Sequence, residues 1–173
     1  MKFNPSIVQT SFQSPLGPMT LAATHTGLAG VWFDDQRHLP AELAAPSSWP
    51  VNAAHPVLKK TTQQLTEYFA GQRTDFALKL DLSSGTAFQQ AVWQALLAIQ
   101  PGQTSSYGSI SHSIGNAAAV RAVGAAIGRN PISIIVPCHR VLGADGSLTG
   151  YAGGLDRKTA LLRLESAFIE DMF

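Results

Sequence analysis

Short runs in which apolar and polar residues alternate fill the first part of the chain. They cover Ile7 to Phe12, Met19 to Ala23 and Leu28 to Phe33, and turn residues at 14–18 and at Gly27 separate them. Alternation with a period of two is typical of strands that cover one face. The pattern therefore predicts three strands in an antiparallel meander.

A loop, a helix and one more strand are predicted before the middle of the chain. Residues 34–56 contain four prolines, which favours a loop. Val57 to Ala70 repeats apolar side chains at helical spacing and is followed by Gly71, a common helix stop. Residues 76–82 alternate again, so we expect a half-covered strand there.

Three helices are predicted next. Thr86 and Gln89 have the spacing of a capping box, and the helix that they open carries an apolar stripe. A second helix is expected over residues 104–115 and a third, capped by Asn116, over residues 117–128. Two short helices joined by a tight turn indicate a helix-turn-helix.

The last part of the chain contains a branched apolar run, a turn and a helix. The β-branched residues from Ile132 to Val136 predict a buried strand, which Pro137 ends because proline has no N–H to give to a sheet. Asp145-Gly146 lies between two short apolar pairs and predicts a two-residue hairpin. Asp156 is expected to cap a final helix, whose apolar side includes Phe168.

These elements define an α+β fold with two domains. We expect residues 1–82 to form a supporting α/β domain, a small antiparallel sheet with a helix. Residues 86–173 are expected to form a mainly helical second domain. The segment Ser83-Ser84-Gly85 is the predicted boundary between them.

Composition restricts the class of protein. The chain has 173 residues, of which 45% are hydrophobic, and it contains no apolar run near the roughly 18 residues of a membrane span. Its first residues lack signal-peptide character, so we expect a cytoplasmic protein with no membrane partner. The single cysteine excludes an internal disulfide and a multi-cysteine zinc site. We expect neither a metal nor a cofactor.

Charge is distributed unevenly around a net value of +1. Residues 82–144 contain no Asp or Glu but carry Arg121, Arg129 and Arg140. Such a stretch could face a phosphate backbone without repulsion, or it could be an uncharged region of the core.

The predicted third helix is rich in alanine and glycine. Val120, Val123 and Ile127 form its expected packing stripe, and small residues cover most of the remaining surface. Small side chains allow close approach either to a nucleic acid or to another helix. Arg121 favours the nucleic acid, because a single long cation on this surface suits insertion into a base stack.

Cys138 is the candidate nucleophile. It follows Pro137 directly and precedes His139, and an imidazole beside a thiol can raise the thiolate fraction above the few per cent expected from a pKa of about 8.5. A lone cysteine after an apolar run is otherwise a small core residue. Glu165 is either a solvated carboxylate or the group that fixes the tautomer of His139.

Several motifs, in order, resemble one known family. The motifs are Arg121-Ala122-Val123-Gly124, Asn130-Pro131, Pro137-Cys138-His139-Arg140-Val141 and Gly150-Tyr151-Ala152-Gly153-Gly154. With them the sequence resembles the O6-alkylguanine-DNA alkyltransferases, also called methylated-DNA–protein-cysteine methyltransferases, from about Thr86 to Glu165. The resemblance implies a ribonuclease H-like N-terminal domain and a C-terminal alkyl-acceptor domain with a winged helix-turn-helix-like DNA-binding motif.

The resemblance also implies roles for individual residues. Cys138 would accept the alkyl group, His139 would take its proton, Glu165 would orient His139, and Asn130 would fix the backbone. The substrate-binding residues would be Tyr107, Ser133, Val141, Tyr151 and Ala152. The DNA-binding residues would be Gln89, Ala119, Val120 and Arg121. Members of the family often have a proline near the position of Ala117 and a small residue at that of Val120, so the chain departs from the pattern there.

The function that this implies is direct repair of alkylated DNA. The protein would rotate O6-methylguanine out of the duplex and transfer the alkyl group irreversibly to Cys138, once per molecule. The sequence leaves O4-methylthymine open as a second substrate. The expected partner is double-stranded DNA containing O6-alkylguanine, bound by a monomer that acts singly or cooperatively and needs no protein partner.

Two rival interpretations come from other classes of protein. A cysteine hydrolase usually takes its histidine from a distant segment, unlike the adjacent Cys138 and His139. A DNA-binding module that only recognises damage would not need the cysteine.

Overall fold

The computed structural model describes residues 1–44 and 48–170, and for residues 167–170 it describes the backbone alone. The predicted apolar position at Phe168 therefore lies outside the described side chains. The elements, in chain order, are β1 (Val8–Ser14), β2 (Gly17–Ala23), β3 (Leu28–Phe33), α1 (Ala41–Ala44), α2 (Pro56–Phe69), α3 (Ala87–Leu96), β4 (Ser105–Ser106), α4 (Tyr107–Ser113), α5 (Val120–Gly128), a 3-10 turn (Cys138–Arg140), β5 (Val141–Leu142) and α6 (Leu155–Glu170).

The predicted antiparallel meander is confirmed. Strands β1, β2 and β3 pair in that order, with Leu21 opposite Val31. Helix α2 packs against all three strands, and the side chain of His55 caps it by accepting from the N–H of Val57 at 3.2 Å. On the outer edge of β1, Val51 pairs with Gln9 in a parallel bridge. One apolar core then continues from this sheet into the C-terminal helices.

Two segments that the sequence predicts to be strands, around Leu80 and around Ile132, both pair with the outer edge of β3. Leu80 pairs with Leu28 and Ile132 pairs with Val31, each in a single parallel bridge. Because β3 has only six residues, neither segment has room to extend its pairing. The two predicted strands are therefore wrong, although both segments are covered as their patterns indicate.

After Ile132 the chain turns sharply and does not continue as a strand. Ile134 has a left-handed φ of 74°, a conformation that a branched side chain rarely adopts, and the N–H of Val136 donates to the carbonyl of Ile132 at 3.0 Å. Residues 131–141 are all buried. This turn delivers Cys138 into the 3-10 turn that follows Pro137.

Helices α3, α4 and α5 pack on one another in the C-terminal half. The capping box of Thr86 and Gln89 is confirmed at the start of α3. Helix α5 begins later than predicted, and its N-cap, Ala119, makes no side-chain cap. The predicted cap at Asn116 is wrong because this residue belongs to the preceding turn, where its carbonyl accepts the N–H of Ala119 at 3.0 Å.

The predicted hairpin at Asp145-Gly146 is half right. A turn is present, closed by a hydrogen bond of 2.9 Å from the N–H of Gly143 to the carbonyl of Ser147. No hairpin ladder forms there, because β5 pairs in parallel with β4 instead. Helix α6 then begins at Leu155, so Asp156 lies in its first turn and is not its cap.

Candidate active site

Cys138 lines a cavity of about 130 Å³. Tyr107, Tyr151 and Ala152 also line this cavity, together with the small residues of α5 that face it. Arg37 reaches it from the loop after β3. The cysteine is 6% exposed, so the cavity is its contact with solvent.

The thiol of Cys138 is protonated at rest. Burial raises its pKa, while Asn130 and Lys158 act in the opposite direction without reversing the shift. A protonated thiol is a weak nucleophile, so this cysteine needs a base nearby before it can react.

His139 and Glu165 form a buried pair behind the cysteine. Nε2 of His139 lies 2.7 Å from Oε1 of Glu165, and both side chains are almost fully buried. Burial raises the pKa of the Glu165 carboxyl, but hydrogen bonds from His139 and Arg140 and their charges outweigh it and lower the pKa to about 2. The carboxylate is therefore ionised at neutral pH.

The ionised carboxylate decides the tautomer of the imidazole. Burial lowers the pKa of His139, so the ring is neutral at rest. Because Glu165 can only accept, the ring proton is on Nε2, and Nδ1 keeps a lone pair. Nδ1 is buried and has no hydrogen-bond partner among the described residues. An imidazole with this tautomer can take a proton from its surroundings.

Asn130 holds the turn that carries the cysteine. Its side-chain N–H donates to the carbonyl of Val136 at 2.8 Å, and its side-chain oxygen accepts from the N–H of Ile132 at 3.0 Å. The amide thus ties both ends of the sharp turn together. This geometry agrees with the backbone-fixing role expected from the sequence.

The expected substrate-binding residues divide into two groups. Tyr107, Tyr151 and Ala152 line the cavity, and Val141 and Ser133 do not. Ser133 is buried against β3, where its N–H donates to the carbonyl of Val31 at 3.0 Å.

The carbonyl of Val141 accepts from Nζ of Lys158 at 2.6 Å. The second lone pair of this carbonyl is not used in that bond.

Helix α5 presents a surface of small residues and cations. Arg121 and Val120 are exposed, Ala119 is half-buried, and Arg129 is exposed at the C-terminal end. The exposure of Val120, 41%, shows that its predicted place in the packing stripe is wrong. The alanines of this helix that face outward do not pack against another helix within the described structure, which favours the nucleic-acid interpretation of the helix over helix packing.

Gln89 lies apart from α5, at the start of α3. It is half-buried, and its side-chain oxygen accepts from the N–H of Thr86 at 3.0 Å in the capping box. Its side-chain N–H groups are not used in that bond.

Two family models divide the chain between them. Residues 7–82 match the ribonuclease-like domain of 6-O-methylguanine DNA methyltransferase, and residues 87–167 match its DNA-binding domain. A methylated-DNA–protein-cysteine methyltransferase of Mycobacterium leprae is 51% identical over 90% of each chain. The chain belongs to the 6-O-methylguanine DNA methyltransferase family. The family and the α+β fold predicted from the sequence are thereby confirmed.

Other members of the methyltransferase family agree in sequence and in structure. A relative from Methanosarcina acetivorans is 48% identical over 90% of this chain and 96% of its own. The crystal structure of the Mycobacterium tuberculosis OGT in complex with DNA superimposes with a TM-score of 0.81 at 47% identity, over 91% of this chain and 92% of that one. The chain thus belongs to a family of DNA alkyl-repair transferases, and its residues 87–167 match the DNA-binding domain of that family. Among the described residues, no helix is long and apolar enough to cross a membrane.

Two partners of Glu165 escaped the sequence analysis. Arg140 is 5% exposed and donates from Nε to Oε2 and from Nη2 to Oε1, both at 2.9 Å. Of the two alternatives left open for the stretch without Asp or Glu, Arg140 therefore follows the core one. Tyr68 on α2 donates from its hydroxyl to Oε1 at 2.9 Å. No motif in the sequence relates Tyr68 to Glu165, because 97 positions separate them.

Lys158 is the third residue that the sequence analysis missed. It is fully buried, and its Nζ donates to the carbonyls of Val141, Thr149 and Gly150 at 2.6, 2.7 and 3.1 Å. These bonds join β5 to the glycine-rich segment that lines the cavity. A lysine on the apolar side of the last helix, at the position of a core residue, was the signal that could have revealed it.

Proposed function

We propose that this chain repairs O6-alkylguanine in duplex DNA by transferring the alkyl group to Sγ of Cys138. The observation that carries the proposal is a cysteine that lines a cavity and is followed by an imidazole with a free, buried Nδ1. The thiol is reactive only when it loses its proton, so an adjacent base and a nearby cavity for the alkylated base are the two parts that this reaction needs.

The reaction balances in one displacement. The proton of Cys138 passes to Nδ1 of His139, through a water molecule, while Glu165 stabilises the imidazolium that forms. The thiolate attacks the alkyl carbon, a C–S bond forms, and the C–O6 bond breaks with its electron pair going to the guanine. The guanine takes up one proton, which replaces the one that Cys138 gave up and that the imidazolium of His139 returns through water, so the repaired base is released neutral and His139 is neutral again. Cys138 ends as a thioether, which thiol exchange does not reverse, so each molecule reacts once.

Groups in the cavity account for recognition of the base in this proposal. The hydroxyl of Tyr107 donates to the carbonyl of Thr149 at 3.3 Å, a long bond that a better acceptor can replace. We assign it, with the N–H of Ala152, to the O6 of the guanine. The carbonyls of Cys138 and Val141 would accept from the guanine amino group, and the ring of Tyr151 would form a wall. Ser133 would support that wall from behind.

Helix α5 is the proposed DNA contact. The target base is stacked inside a duplex, so it must rotate out, at a cost of a few kcal/mol that is lowest for a badly paired base. Arg121 would fill the vacated place from the minor groove, and the exposed small residues around it would allow the close approach. Ala119, Val120 and Gln89 would contact the flanking backbone.

We further propose that a monomer carries out this reaction in the cytoplasm, where a lone thiol stays reduced. Residues 1–82 would act as the supporting domain, and residues 86–173 would bind DNA and accept the alkyl group. Sedimentation with duplexes of increasing length would measure whether molecules bind cooperatively.

Intact mass spectrometry tests the transfer. After incubation with a duplex containing O6-methylguanine, the protein should gain one CH2 unit in mass, at Cys138, in a ratio of one per lesion removed. The same duplex with guanine and the variant Cys138→Ala are the controls, and neither should give the gain. Unmodified protein beside a full amount of lesion would refute the proposal. A duplex with O4-methylthymine in the same assay measures the second substrate.

The variant Cys138→Ala also separates the rival functions. Transfer predicts that the variant binds DNA as the parent does and repairs nothing. A binding module would show no difference between the two proteins. A cysteine hydrolase would cleave ester or amide substrates, and transfer predicts that neither protein does so.

A further inference from the structure

Tyr68 joins helix α2, which packs on the sheet, to the carboxylate of Glu165. It is 2% exposed, and its ring packs against those of Phe69 and Phe76, with centroid distances of 5.3 and 5.4 Å. Its hydroxyl donates to Oε1 of Glu165 at 2.9 Å. Burial and the neighbouring carboxylate raise the pKa of Tyr68 well above its usual range, so the phenol stays protonated and acts as a donor.

The two carboxylate oxygens of Glu165 accept different numbers of hydrogen bonds. Oε1 accepts from Tyr68, His139 and Arg140, whereas Oε2 accepts from Arg140 alone. A carboxylate oxygen has about two lone-pair sites, so three donors on Oε1 compete for them and each weakens the bonds of the others. Of these hydrogen bonds, the one from Nε2 of His139 affects the basicity of the imidazole.

Anchoring of the carboxylate does not depend on Tyr68. Arg140 holds both oxygens, and it keeps Glu165 ionised and oriented without help from the phenol. The remaining effect of Tyr68 is therefore on the strength of the hydrogen bond between Oε1 of Glu165 and the imidazole of His139.

We propose that Tyr68 is a positioning residue that shares Oε1 of Glu165 with His139 and so limits the basicity of the imidazole that activates Cys138. The inference rests on the proposed function for the role of His139 as a base. It gives α2, and with it the N-terminal half, a direct part in the chemistry. The other charged or titratable groups around the pair are Arg140, Lys158, Cys138 and Tyr151, and a change at Tyr68 alters none of them covalently.

The variant Tyr68→Phe removes the hydroxyl and keeps the ring. The proton on Nε2 of His139 should then move to lower field in the NMR spectrum, since its bond to Oε1 strengthens. The pH midpoint for alkylation of Cys138 by free O6-benzylguanine should fall by roughly half a pH unit, which means about a threefold faster reaction below the midpoint. The matched control is Thr61→Val, which removes another buried hydroxyl from α2, one that donates to the carbonyl of Val57 at 2.8 Å and is not among the hydrogen-bond donors to Glu165 in the described structure.

A second substitution tests the opposite direction. Placing 3-fluorotyrosine at position 68 alone makes the phenol a stronger donor at nearly the same size, so the Nε2 proton should move to higher field and the midpoint should rise. An unmoved Nε2 proton in both variants, or the same change in Thr61→Val, would overturn the inference. The NMR measurement needs no DNA and no alkyl transfer, so its failure is distinguishable from a failure of the proposed function.

Discussion

Replacing Glu165 by glutamine tests the electrostatics of the buried pair. The substitution keeps the shape of the side chain and removes its charge, which leaves the guanidinium of Arg140 buried without an anion. Breaking a buried ion pair from one side destabilises a protein by about 3 kcal/mol or more. We therefore expect urea unfolding at pH 7 to give a free energy about 3 kcal/mol lower for the variant than for the parent.

The pH dependence of this difference follows from the pKa of Glu165. In the folded protein the pKa is about 2, below its ordinary value of 4.5, so the carboxylate stabilises the fold above the higher value and loses this contribution as the pH falls through the lower one. A difference of about 2.5 units is worth about 3 kcal/mol. The gap in unfolding free energy between parent and variant should therefore close between about pH 5 and about pH 2.

A surface carboxylate provides the control. Glu67 pairs with Arg73 at 3.0 Å, and about a quarter of each side chain is exposed. The variant Glu67→Gln should lose less than about 1 kcal/mol and keep the alkylation profile of the parent. In Glu165→Gln the pH midpoint for alkylation of Cys138 should rise, because the imidazolium loses its anion. A gap in stability that stays constant from neutral to acid pH, together with an unmoved midpoint, would show that the charge of Glu165 contributes neither to stability nor to activation of the thiol.

Two further substitutions test the DNA contact and the buried lysine. Arg121→Ala should slow repair of duplex DNA at least tenfold more than it slows reaction with free O6-benzylguanine, because only the duplex requires a vacated base position to be filled. The control is Arg163→Ala, which removes an exposed cation from α6. Equal losses on both substrates would contradict the proposed insertion of Arg121 into the base stack. Lys158→Met should lower the free energy of unfolding by about 2 kcal/mol, since the buried carbonyl of Val141 and the partly buried carbonyls of Thr149 and Gly150 lose a charged donor. Hydrogen exchange of the segment around Gly150 should become faster than in the control Lys59→Met, and unchanged exchange would contradict the joining role.

Local patterns in the sequence predicted the elements whose partners are close in the chain. The meander needs only alternation and short turns, and the capping box of Thr86 and Gln89 lies within a single helical turn. The predictions of strands around Leu80 and Ile132 were wrong. A branched or alternating pattern indicates burial, but it does not indicate how many residues of a neighbouring strand are available for pairing.

The candidate site was predictable where a motif was contiguous. Cys138, His139 and Asn130 lie in one short segment, and the structure brings them together as expected. Arg140 belongs to the same motif, but the sequence left open whether it faces a phosphate backbone or lies in the core, and the fold places it against Glu165. Tyr68 carries no local signal, since its partner comes from the far end of the chain.

The pairing on β3 also has a consequence for association between molecules. An open strand edge offers unpaired N–H and C=O groups that can recruit a second chain and begin aggregation. Here short stretches of the protein's own backbone occupy positions on both outer strands of the sheet, at Leu28, Val31 and Gln9. The segment that carries Cys138 thus also protects the edge of the sheet against intermolecular β-pairing.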